Sequence, residues 1–122
     1  MVECLIRFFV SAKRRDAAER VAARTMEIAE LTATASEWRP YEKIGGWVGT
    51  FRWFVDRPDD EWPLTVFDLL AVAQRIGHGW TMSGRIEEGL DLSTDRPAGR
   101  GAGMRMITLQ ALRTEQGVPG DE

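Results

Sequence analysis

The stretch WVGTFRWFVD, Trp47 to Asp56, alternates with period two. Trp47, Gly49, Phe51, Trp53 and Val55 share one face; Val48, Thr50, Arg52 and Phe54 share the other. Side chains on a strand point alternately to opposite faces, so this pattern predicts a β-strand. Its neighbours follow from it. Upstream, Lys43-Ile44-Gly45-Gly46 predicts a turn, and residues 33–41 (ATASEWRPY) predict a strand at a sheet edge or with a bulge. Pro40 sets that position, because proline cannot donate to a central ladder. Further upstream, residues 2–10 (VECLIRFFV) put Cys4, Ile6, Phe8 and Val10 on one face and Leu5 and Phe9 on the other. Apolar groups on both faces predict a central strand.

Between these strands, residues 11–31 predict an amphipathic helix of about five turns with Ser11 as its N-cap. Its apolar stripe is Val21, Thr25, Ile28 and Thr32, with Ala18, Ala22 and Ala29 beside it for close packing on a sheet. Downstream of Asp56, residues 57–63 (RPDDEWP) read as a loop and residues 64–76 as a second helix. Thr65 and Asp68 have capping-box spacing, and Val66, Leu69, Leu70, Ala73 and Ile76 form the predicted buried stripe. Gly77-His78-Gly79 ends the helix. A strand over 80–92 with a bulge at Gly89, a loop over 94–103 and a strand, with a short helix as the alternative, over 104–112 complete the domain; residues 114–122 read as a frayed tail. The order β-α-β-β-α-β-β over residues 1–113 predicts a single α+β domain. It would be a ferredoxin-like antiparallel sheet with two helices on one face and one added strand.

Composition narrows function. The 122 residues include five tryptophans but one His, one Cys and one Tyr. Tryptophan supplies contact area and a single donor, so it serves cores and binding surfaces; catalysis and metal binding need other side chains. The net charge of −3 argues against nucleic acid as partner. Only Lys13 and Lys43 are lysines, so the arginines reflect a GC-rich bacterial genome rather than selection for phosphate. No stretch has the length of a membrane span, and no secretory leader is evident. Cys4 has no disulfide partner within the chain and reads as a buried inert thiol, so a cytoplasmic location is expected.

Candidate sites are few. Trp47, Phe51 and Trp53 are core if the helices cover their face, and an aromatic platform for bases, a protein partner or a second copy in a homodimer if they do not. Asp56, Asp59, Asp60 and Glu61 cluster beside Trp62; Glu87, Glu88 and Asp91 follow Trp80. Such runs are usually solvated surface. The functional alternative is an anionic patch anchored by Trp62 and Trp80, suited to a basic protein partner. Both clusters border the second helix, so topology makes them neighbours. His78 is the only candidate for proton transfer, against a bland role as a C-cap that bonds helix carbonyls. One His and one Cys cannot supply the usual zinc set, and the spacing of Asp56, Asp59 and Asp60 is not that of an EF-hand. No metal or other cofactor is expected. AGRGAG (98–103) lacks the lysine of a phosphate loop and reads as a flexible hairpin.

In its small size, acidity, tryptophan content and lack of a catalytic set, the chain resembles the small single-domain immunity proteins that neutralise bacterial toxins. That resemblance implies a protein partner, a basic toxin domain, inhibited by occlusion. In element order it also resembles small ferredoxin-like monooxygenases, which implies an apolar cavity with His78 and Trp80 at the site.

Overall fold

The computed structural model describes residues 1–113. The strands and helices are β1 (Val2–Ser11), α1 (Arg15–Ala29), β2 (Ala35–Tyr41), β3 (Gly46–Val55), α2 (Trp62–Ile76), β4 (Gly77–His78), β5 (Thr81–Met82), β6 (Gly89–Thr94), β7 (Arg96–Pro97) and β8 (Met104–Leu112). Six strands form an antiparallel sheet in the order β2-β3-β1-β8-β6-β5; β4 and β7 pair separately. The described residues are therefore α+β, with two α-helices. The predicted tail, 114–122, lies outside the described residues.

The pleat of β1 sorts the molecule into two sides. Cys4, Ile6, Phe8 and Val10 stand opposite Trp53, Phe51, Gly49 and Trp47 of β3, and opposite Ala111, Leu109, Ile107 and Met104 of β8. These residues meet Ala18, Ala22, Met26 and Ala29 of α1 and Val66, Leu69, Ala73 and Ile76 of α2 in one core. Phe51 and the tryptophans of β3 therefore face the helices. Trp53 is buried, and Trp47 and Phe51 pack against the core from its margin. They are core, and the platform and the dimer paired through Trp47 and Trp53 have no place on that side. The opposite face carries Leu5, Phe9, Val48 and Phe54. Phe9 meets Tyr41 edge to face at 5.4 Å, and Arg7 donates to Gln110 at 3.2 Å.

Several local expectations change. Ser11 is the last residue of β1 rather than a helix cap: its hydroxyl donates to the Ile44 carbonyl at 2.7 Å and accepts from Arg105 at 3.1 Å. α1 starts later, at Arg15, and ends at Glu30 in the left-handed region. Its buried line is Ala18, Ala22, Thr25, Met26 and Ala29, which leaves Ile28 exposed. The alanines face the sheet because they let the helix approach closely. Thr65 lies inside α2, buried, and does not cap it; Pro63 sits in the first turn, where its missing N–H costs nothing. The predicted strand over 80–92 is a hairpin. β5 pairs back on β6 (Thr81 with Ser93, Met82 with Leu92) through a turn containing Gly84 at φ 75°. The segment 94–103 includes β7 and a single 3-10 turn at Arg100–Ala102.

Candidate functional site

The chain around the N-terminal end of α2 gathers the two acidic clusters. Trp62 opens the helix with its ring in the core, 6% exposed, and its indole N–H donates to the Ile86 carbonyl at 2.8 Å. Arg113, just past β8, donates to both carboxylate oxygens of Asp59, at 2.8 and 2.6 Å, and to the Glu87 carbonyl at 2.7 Å. Its guanidinium lies 5.3 Å from the Trp62 ring centroid. Segments 59–62 and 86–87 are thus tied together, as topology predicted.

The ties also sort the acidic residues. Asp59 is half-buried and neutralised by Arg113. Glu61 faces Arg57 at 3.8 Å, while that half-buried arginine pairs more closely with Asp68 at 2.9 Å; Glu87 faces Arg85 at 3.7 Å, and long pairs of this kind add little. Asp56, Asp60 and Glu88 are exposed and make no ion pair among the described residues. The free negative charge of the patch therefore resides chiefly at these three.

The expected anchors are not on offer. Trp62 is buried, because a helix that starts on an indole can seat it between the sheet and the 83–88 turn. Trp80 is half-buried and donates to the Ala73 carbonyl at 3.0 Å, which secures the end of α2. The apolar surface beside the acidic residues comes instead from the outer side of α2: Phe67 is 69% exposed, Leu64 54% and Leu70 38%. Helical spacing of three places them on one ridge. The sequence pattern puts Leu70 in the buried stripe and leaves Phe67 outside it; in the structure both are exposed. One sequence signal for this was present: α2 is apolar around much of its circumference, more than one buried face requires.

His78 is exposed. Its carbonyl accepts from the Thr94 hydroxyl, and its ring makes no hydrogen bond among the described residues. The helix end is closed by the Gly77 N–H on the Ala73 carbonyl, so His78 does not act as the cap. No carboxylate of Glu87, Glu88 or Asp91 orients the imidazole. Among the described residues no three His, Cys, Asp or Glu side chains converge as a metal cage.

A small recess of about 190 Å³ lies at the 83–91 turn, lined by Arg85, Glu88 and Asp91 among others; two larger surface cavities lie elsewhere. A shallow one of about 580 Å³ separates α1 from β2. Another, of about 510 Å³, lies between α1 and the 98–102 loop. His78 lines neither. No protein-family model matches the chain, and no curated protein and no solved structure matches it either.

Proposed function

We propose that this chain is a protein-binding inhibitory module of the immunity type, which neutralises a toxin domain by covering it. The observation that carries the reading is the α2 ridge: Phe67, Leu64 and Leu70 exposed on one helix face that continues, at its N-terminal end, from Asp60 and Glu61. An exposed aromatic at the centre of an apolar strip is the ordinary form of a binding hot spot. Unneutralised carboxylates at its end add long-range attraction for a basic partner and speed encounter. The occupant is therefore a protein with a basic rim around an apolar groove. We read the fold as a ferredoxin-like plan, β2-β3-β1-β8 with α1 and α2, into which β5 and β6 are inserted before the last strand. We place the complex in the cytoplasm, where the lone Cys4 stays reduced.

Capture with the tagged chain from lysate of the producing cell, at low and moderate salt, followed by reconstitution with the purified partner, tests this. The expected result is one basic protein bound in 1:1 ratio, lost with Phe67→Ala and associating more slowly with Asp60→Lys/Glu61→Lys. A partner that binds both variants as well as the parent chain overturns the assignment, and so does the absence of any such partner.

A further inference from the structure

We infer that the cavity between α1 and the 98–102 loop is a binding site for a small apolar organic anion. It goes beyond the docking ridge, with which it shares no residue. Its floor and walls are apolar or uncharged: Val21, Thr25, Ile28 and Ile76 on the helices, Ala98 and Ala102 on the loop. Its volume of about 510 Å³ is within the range that holds a small ligand. Gly99 lies between β8 and α1: a Cβ there would be in ordinary contact with Met104, at 3.4 Å, and with the Thr25 hydroxyl, at 3.8 Å. Gly101 leaves the wall open, since a Cβ on it would meet nothing within 4 Å. Ile28, 44% exposed, is apolar surface left without cover at the cavity edge.

The charge at the mouth selects the ligand. Arg20 and Arg24, one helical turn apart, both line the cavity. Arg20 has only a long pair with Asp16, 3.5 Å, which Asp16 shares with Arg14 at 2.8 Å. Arg24 makes no ion pair among the described residues. On a chain of net charge −3, two under-compensated guanidiniums over an apolar recess are a local inversion of sign. Guanidinium matches a carboxylate or phosphate head in geometry, and the recess takes the apolar remainder.

Titration of the ¹⁵N-labelled full chain with 2-naphthoate, followed by amide shifts, tests the site. Shifts should centre on Val21–Ile28 and Ala98–Ala102. The neutral 2-naphthalenemethanol and inorganic phosphate should each bind at least about tenfold more weakly. Arg20→Gln/Arg24→Gln should weaken naphthoate by about tenfold or more, Arg24→Lys by less, and Val21→Phe should abolish binding by filling the recess, each variant keeping a dispersed spectrum. Shifts centred on α2 or on the open sheet face, equal binding of acid and alcohol, or indifference to the double variant overturns the proposal.

Discussion

Arg113 grips Asp59 through two parallel hydrogen bonds, 2.6 and 2.8 Å, and so fastens the end of the last strand to the loop that starts α2. The arginine is nearly buried and the carboxylate is one-third exposed, so the pair is partly shielded from water. A bidentate pair of this kind outweighs an exposed one. Asp59→Ala removes it and leaves the Arg113 charge over Trp62. It should lower the unfolding free energy by about 1–2 kcal/mol. Asp60→Ala, on an exposed unpaired carboxylate, should change it by less than about 0.5 kcal/mol. Urea denaturation of the two variants checks this; equal losses would show that Arg113 does no special work here.

The same comparison separates stability from recognition. Phe67 is the most exposed large apolar residue of those described, so Phe67→Ala should leave the urea midpoint within about 0.5 kcal/mol of the parent chain. Trp62→Ala, which empties a core position, should cost about 3–5 kcal/mol. If Phe67→Ala proves as damaging as Trp62→Ala, the ridge is part of the packed structure rather than free surface.

Trp38, on the edge strand, lies flat over Gly49 of its neighbour. A Cβ at Gly49 would come within 2.6 Å of the Trp38 ring, and that ring also meets Phe51 edge to face at 5.9 Å. Aromatic cover of a glycine across a strand pair pins register and shields the backbone. Gly49→Ala should lift the indole outward, cost about 1–3 kcal/mol and shift tryptophan emission to the red. An unchanged melting temperature would mean that the ring slides aside without penalty.

The strands with strict alternation were legible from the chain alone. β1 and β3 have period-two patterns whose two faces follow the helix side and the open side; in β8 the alternation holds from Ile107 onward and is broken by a bulge that turns Met104 inward as well. Pro40 points to an edge or bulged position for β2 for a reason that holds in the structure: among the described residues β3 is its only neighbour in the sheet. What was not legible depends on contacts distant in sequence. Ser11 looked like a cap because of its type, but β1 extends through it to reach Gly46. The 80–92 stretch carries no proline or Asn-Gly; its one turn signal is Ser83-Gly84, and the seating of β6 on β8 is what makes that dipeptide a reversal rather than a glycine within one strand. The binding candidate shows the same division. The acidic residues were plain in the sequence and their adjacency followed from topology, but the apolar partner surface could not be assigned. Tryptophans were expected to supply it because they are large. The core took them for the same reason, and Phe67 was left outside.

Cys4 gives the chain a pH dependence that can be isolated. It stands fully buried between Trp53 and Ala111, and burial, reinforced by the neighbouring Glu3 charge, pushes its thiol up to about 12. In the unfolded chain a thiol titrates near about 8.5. The folded state therefore holds the proton more tightly. The stability this confers is complete below pH of about 8.5 and is lost as pH rises from there toward about 12. By pH of about 10 the loss should amount to about 2 kcal/mol. Cys4→Ala forfeits some packing at every pH but lacks this decline, while every other group titrates alike in both proteins. Urea midpoints of the parent chain and Cys4→Ala at neutral pH and near pH of about 10 should therefore converge at the higher pH. Parallel curves would mean that the thiol ionises in the folded state as readily as in the unfolded one. The same burial predicts that a thiol reagent stays unreacted with the native chain at mildly alkaline pH and reacts at once when urea is added.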